Sequence, residues 1–179
     1  MKKILAFCGS NSPTSINHQL LLNITGRITE HPVEIIEVRE LSIPMFSIVK
    51  EKEGFPQDVK FLYDKIREFP ALIIAVNEYN ANVSGHFKNV LDWLSRVDRK
   101  FFEGKKILLA STSPGKRGGA SALDYCKRQF PRFGGEVVES FSLPQFYENF
   151  DTEKGRIINE IFEMGVVEVV TSFSQQIKE

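Results

Sequence analysis

The residues best suited to chemistry lie near the start of the chain. Gly9 is followed by Ser10, Ser12, Thr14 and Ser15, four hydroxyls in six residues, and then by Ile16 and Asn17. Such a segment can hold a phosphate with hydroxyls, backbone N–H groups and the positive end of a following helix. It lacks the Lys of a P-loop and the GxGxxG of a dinucleotide turn, which disfavours ATP hydrolysis and Rossmann-type NAD binding. A plainer explanation also fits, because Ser and Thr cap helix starts in any protein.

Two more stretches carry unusual polar content. In Asn77-Glu78-Tyr79-Asn80-Ala81-Asn82, one aromatic ring and three amides offer a planar heterocycle a place to lie. The plainer explanation is a polar turn whose Asn residues tolerate left-handed backbone. In Ser111 to Gly119, the glycines Gly115, Gly118 and Gly119 can let backbone approach a ring or sugar, and Lys116 and Arg117 can meet an anionic second substrate. Alone, this stretch reads more simply as a solvated connection. The case for a site is that all three stretches follow apolar strands.

Those strands and the helices between them follow from apolar patterning. Residues 3–8, apolar after Lys3, read as a strand covered on both faces. From about Asn17, the positions Leu20, Leu21, Ile24 and Ile28 give a helix capped by Ser15 and ended at His31-Pro32. Residues 33–38 suggest a strand nearer the sheet edge, and 39–55 an ordered loop in which Met45 and Phe46 are free to pack. Val59, Leu62, Tyr63, Ile66 and Phe69 make a helix stopped by Pro70, and residues 71–76 make the clearest strand. The helix after Gly85 puts Phe87, Val90, Leu91, Leu94 and Val97 inward and leaves Lys88, Asn89 and Trp93 on other faces.

A fourth strand at 107–110, a helix on Leu123, Cys126, Phe130 and Phe133, and a fifth strand at 136–143 follow. The last helix, from Ile157 to Phe173, has an apolar stripe of Ile158, Ile161, Phe162, Val166, Val169 and Val170. Five strands alternating with helices specify an α/β protein with a mostly parallel, doubly wound sheet. Ligands of such sheets bind beyond the carboxyl ends of the strands, where strand order reverses. All three polar stretches leave such ends.

Composition narrows the function. At 179 residues, one domain spanning 1–179 is expected. With 42% apolar and 26% charged residues, the chain is not mainly disordered or fibrous. Lys plus Arg and Asp plus Glu are equal at 23 each, so no global field draws nucleic acid or an acidic membrane. The apolar run before Gly9 is too short for a signal peptide and no span suits a membrane, so a cytoplasmic protein is expected. Cys8 and Cys126 lack metal or redox spacing and read as buried thiols, and His18, His31 and His86 form no ligand motif.

The blocks Gly9-Ser10, Ser15-Ile16-Asn17, Glu78-Tyr79-Asn80, Lys88-Asn89-Val90-Leu91-Asp92-Trp93 and Gly115 to Gly119 occur in that order. In them the chain resembles the NADPH-dependent FMN reductases of flavodoxin-like fold, which include bacterial quinone, chromate and azo-dye reductases. Two positions depart from that family's usual pattern: Ser12 stands in place of an Arg, and Asn77 in place of a Pro. The resemblance implies a three-layer sandwich around a five-stranded parallel sheet of order 2-1-3-4-5. It implies FMN as cofactor, with Ser10, Ser12, Ser15, Ile16 and Asn17 at the phosphate. Glu78, Tyr79 and Asn80 would flank the isoalloxazine mainly through backbone, and Ser113, Gly115 and Gly118 would line its other side.

With the chemistry borne by the flavin, no catalytic side chain is expected. Hydride would pass from NADPH or NADH to a small acceptor such as a quinone, azo compound, metal oxyanion or free flavin. The resemblance also places the Lys88–Trp93 helix at a homodimer or tetramer interface, since a Trp opposite the core stripe is otherwise a costly exposure. The alternatives are a flavodoxin-like electron carrier, which the balanced charge disfavours, and a flavin-free binding protein of the same fold.

Overall fold

A computed structural model describes residues 1–178. The chain runs β1 (Ile4–Cys8), α1 (Ile16–Thr25), β2 (Val33–Ile36), α2 (Ile48–Lys52), α3 (Gln57–Glu68) and β3 (Ala71–Ala75). It continues β4 (Glu78–Tyr79), β5 (Asn82–Val83), α4 (Gly85–Val97), β6 (Lys106–Thr112), α5 (Ala120–Gln129) and β7 (Glu136–Leu143). The last elements are α6 (Phe146–Asn149), β8 (Phe150–Asp151), β9 (Arg156–Ile157) and α7 (Glu160–Gln176).

The central sheet has five parallel strands in the order β2-β1-β3-β6-β7, which is 2-1-3-4-5 when only its own strands are counted. Alternation along the buried strands explains why they read as unbroken apolar runs. In β1, Leu5 and Phe7 enter one core with Leu62 and Ile66 of α3, Phe87 and Leu91 of α4, and Cys126 of α5. Ile4, Ala6 and Cys8 enter the opposite core with Leu20, Leu21 and Ile24 of α1 and with Val166, Val170 and Phe173 of α7. Helices on both faces thus give three layers.

Several expected boundaries shift. The first helix ends at Thr25, capped by the Gly26 N–H, before His31-Pro32. Residues 39–55 are not simply a loop, because a 3-10 turn forms at Val38–Glu40 and α2 at Ile48–Lys52. Of the expected C-terminal stripe, Ile158 and Ile161 are exposed, Val166 and Val170 are buried together with Phe173, and Phe162 and Val169 are partly buried against the same core. That helix begins only at Glu160, after a β8–β9 hairpin has turned the chain, and this resets which face meets the sheet.

Trp93 also departs from expectation. It is fully buried, but against its own chain: the indole N–H donates to the Pro44 carbonyl at 2.7 Å, and Phe46 packs edge-on with centroids 5.2 Å apart. Asn89 adds two bonds to the same segment, donating to Pro44 O and accepting from the Phe46 N–H. The 44–55 segment therefore covers the face of α4 that the sequence leaves bare, and the exposure argument for an interface at Trp93 falls away.

Candidate functional site

Strand order reverses between β1 and β3: the chain leaves β1 toward β2 on one side and returns to β3 on the other. Beyond this point lies a cleft of about 210 Å³ walled by the three polar stretches. Its lining includes Ser10, Ser12, Ser15, Ile16 and Asn17 from the first, Glu78 and Tyr79 from the second, and Ser113 from the third. Asn80, Gly115 and Gly118 do not line it.

The first wall is a folded loop with few slack bonds. Ser10 Oγ accepts from the Ser12 N–H, Ser12 Oγ accepts from the Thr14 N–H, and the Ser12 and Thr14 hydroxyls are 3.3 Å apart. Ser15 caps α1 by accepting from the His18 N–H. First-turn donors have no acceptor within their own helix, so the Ile16 and Asn17 N–H groups keep the anion-binding character of a helix start. The Asn17 side chain is spent on the scaffold, where its amide donates to Thr112 O and accepts from Thr112 N, tying α1 to the end of β6. Gly9 is required by packing, since a Cβ there would lie 2.6 Å from the Phe87 ring.

Arg39 braces the first loop from outside the cleft. It follows β2 and donates from Nη1 to the carbonyls of Pro13, at 3.0 Å, and Ser12, at 3.4 Å. Its Nε lies 3.1 Å from a Glu37 carboxylate oxygen without hydrogen-bond alignment, and Glu37 also meets His18. A guanidinium is therefore held against the phosphate-type loop from the neighbouring strand. Its sequence distance from Ser12 hides this pairing, which only the β1–β2 register creates.

The second wall is a hairpin of β4 and β5 turned by Asn80 and Ala81, at φ 50° and 59°. Two successive positive φ values are the signature of a type I′ turn, which Asn suits and Ala fills at a cost of about 1 kcal/mol. Asn80 thus shapes the turn that presents Tyr79. Glu78 points elsewhere: its Oε2 accepts from the Ala122 N–H at 3.0 Å, within the first turn of α5. Asn77, two residues beyond β3, borders the cleft, and its amide oxygen and nitrogen are both buried and without hydrogen-bond partners.

The third wall begins at Thr112, Ser113 and Pro114. Among the glycines beyond it, Gly118 and Gly119 have no room for a side chain, whereas Gly115 has. A Cβ on Gly118, at φ +56°, would meet Ser142 Oγ and the Pro144 nitrogen, and one on Gly119, at φ +78°, would strike Ser111 Oγ. Tyr147 closes this side from α6, which is held by Phe146 N–H to Ser113 O and Gln145 N–H to Gly115 O, each 3.0 Å. Tyr147 lies outside the three polar stretches, whereas Thr112 lies within the third. A four-residue helix after a left-handed Gln145 carries no readable period.

This donor set fits FMN. Hydroxyls and a helix start stand where a phosphate needs them, and tyrosines flank the space beside them. A larger depression of about 540 Å³ runs along the β7 edge through Lys127 and Glu136 to Ser140, but none of the three polar stretches reaches it.

A family model described as NADPH-dependent FMN reductase matches residues 2–148. The chain is 35% identical over 120 residues to the quinone reductase of Escherichia coli K12, an overlap of 61% of this chain and 64% of that protein. The match thus spans less than two thirds of that relative. It is 32% identical over 161 residues to an NADH:(hydroxy)cinnamate reductase subunit of Vibrio ruber, covering 87% of this chain and 77% of that one. Among solved structures, a flavoenzyme NAD(P)H:(acceptor) oxidoreductase from Paracoccus denitrificans superposes with TM-score 0.80 at 25% identity, over 99% of this chain and 98% of its own.

Proposed function

This chain belongs to the NADPH-dependent FMN reductase family, and on that premise we propose that it is an FMN-dependent NAD(P)H oxidoreductase acting on a small electron acceptor. The observation that carries the reading is the convergence of three strand-end loops on one cleft at the topological switch point. The chemistry that bound FMN would supply is transfer of a hydride from NADPH or NADH to a quinone, azo compound, metal oxyanion or free flavin.

The residues' own work is to bind and orient. Ser10, Ser12, Ser15 and the N–H groups of Ile16 and Asn17 receive the phosphate, with Arg39 adding positive charge behind the loop. Tyr79 and Tyr147 shield the sides of the ring space from water, and Glu78, Asn80 and Gly118 fix the backbone around it. Among the described residues, no cleft serine is hydrogen-bonded to a histidine side chain, so an activated hydroxyl nucleophile finds no support. The whole chain, 1–179, is taken as one FMN-binding domain, and its two free buried thiols suit a cytoplasmic setting.

Assembly of copies as a homodimer or tetramer on the α4 side remains part of the reading, on different support. Met45, Ile48 and Val49, on the segment that covers Trp93, are 73%, 68% and 69% exposed, an apolar cluster suited to a second copy. The redox reading is tested by mixing FMN-reconstituted protein with NADPH under nitrogen and following the flavin absorbance. Bleaching within seconds is expected, and an unchanged spectrum rejects it.

A further inference from the structure

We propose that the depression between the β4–β5 hairpin and α5 seats the adenosine arm of NADPH, with Arg128 and Arg117 reading its 2′-phosphate. The inference rests on the FMN reading above. It concerns a second site, apart from the flavin cleft: a depression of about 260 Å³ lined by Ala81, Asn82, Ser121, Asp124, Tyr125 and Arg128. None of these residues lines the cleft.

One hairpin borders both sites. Tyr79 lines the cleft, and Asn82, its partner across the antiparallel pair, lines the depression. Neighbouring strands lie about 4.8 Å apart, so a dinucleotide crosses this ribbon within the span of its pyrophosphate bridge. A co-substrate with its nicotinamide over the flavin ring is thereby able to set its adenosine end against α5.

The lining suits a phosphorylated ribose. Ser121 and Arg128 lie seven residues apart on α5 and so share one face. Among the described residues, Arg128 has no carboxylate within ion-pairing distance, although Asp124 stands one turn before it. Arg117 reaches the same rim from the third loop, donating from Nη2 to the Ser121 hydroxyl at 3.0 Å. Two exposed guanidinium groups about one hydroxyl match a terminal phosphate, which accepts bidentate bonds from their planar forks. Asn82 adds an amide donor, since its Oδ1 is already taken by the Val83 N–H. Tyr125 packs partly buried against the core, and burial pushes its hydroxyl up, so the proton stays available for donation. Asp124, the one carboxylate of the lining, accepts from the ribose 3′-hydroxyl. NADH has no 2′-phosphate and leaves both arginines unused.

The test uses the full chain, freed of flavin, with 2′,5′-ADP and 5′-AMP as probes read by titration calorimetry. 5′-AMP differs from 2′,5′-ADP only in lacking the 2′-phosphate. Both arginines are exposed, so Arg128→Gln and Arg117→Gln are expected to keep the fold, which a thermal melt checks. Each is expected to weaken 2′,5′-ADP binding about tenfold, equivalent to about 1.4 kcal/mol, and to leave 5′-AMP binding nearly unchanged. In the FMN-loaded protein, KM for NADPH should rise by a similar factor while KM for NADH stays in place.

Unchanged 2′,5′-ADP affinity in the double variant overturns the proposal, as does an equal loss of both probes, which would show a general attraction for anions and no reading of the 2′-phosphate. Wild-type protein that binds FMN but not 2′,5′-ADP overturns this inference alone. Wild-type protein that binds no FMN overturns the FMN reading, and the assignment of this depression to a co-substrate with it.

Discussion

Glu78 and Ala122 are joined across the mouth of the cleft: the Glu78 carboxylate accepts the Ala122 N–H at 3.0 Å. Helix α5 needs this bond because its own N-cap is Gly119, which has no side chain to close the first turn. A residue that the sequence places beside a ligand thus works as a remote cap, locking the Tyr79 hairpin to the helix after the third loop. Glu78→Ala is expected to cost about 1 kcal/mol, lowering the melting temperature by roughly 2–4 °C. Flavin affinity should fall with it as the hairpin loosens. A thermal melt and an FMN titration of the variant check both. A melt unchanged from wild type would show that α5 does not depend on this cap.

Arg39 carries a separate expectation. Its bonds to the Ser12 and Pro13 carbonyls brace the loop proposed to receive the phosphate, from the turn after β2. Arg39→Gln removes the charge and shortens the reach. FMN affinity should fall by less than a direct charge-assisted contact would cost, because the guanidinium stands behind the loop with Glu37 and Glu40 beside it, while riboflavin binding is unaffected because it presents no phosphate. Raising the ionic strength should narrow the difference between wild type and variant. Titrations with both flavins at low and high salt decide the matter.

The parts of the molecule that were legible are those whose causes are local. β1 and β3 announce themselves because burial on both faces demands an apolar residue at every position, and the hydroxyls of the first loop sit beside the helix that needs a cap. The parts that were not legible depend on partners distant in sequence. Trp93 reads as exposed on any helical projection because its cover, Pro44 and Phe46, lies in a segment without period. Gly118 and Gly119 read as ligand-facing, although the atoms that forbid a side chain there belong to Ser142, Pro144 and Ser111. Tyr147 reaches the cleft only because backbone bonds fasten α6 to the third loop. Fold follows from periodicity, whereas the walls of the site follow from how loops close on one another.

His86 supplies a pH-dependent expectation. Burial pushes its imidazole below the ordinary histidine range, its Nε2 has no hydrogen-bond partner, and Arg39 lines the same depression. A depressed folded value means that the unfolded chain takes up the proton first as pH falls. The neutral imidazole is therefore tolerated above its unfolded value, and stability is lost as pH drops through that value toward the folded one. Between about pH 7 and about pH 5, the wild type should lose more stability than His86→Gln, which has no group to protonate there. Urea midpoints measured across that range for the two proteins check the sign. A steeper loss in the variant would contradict it.

The inward turn of Trp93 relocates the expected contact between copies. If copies met at the indole, Trp93→Phe would disrupt the assembly. Because the ring is fully buried beneath residues 44–55, the substitution should instead remove the 2.7 Å bond to Pro44, at about 1 kcal/mol, and leave the assembly intact. Ile48 lies on the outer side of the same segment, 68% exposed beside Met45 and Val49. A carboxylate placed there would have to lose its water in any interface formed by this patch, a penalty of several kcal/mol. Ile48→Glu is therefore expected to yield monomers with a melting temperature close to that of the wild-type fold, and light scattering on the two variants separates these outcomes. Dissociation by Trp93→Phe with Ile48→Glu still associated would return the interface to α4 itself, and a monomeric wild type would remove it altogether.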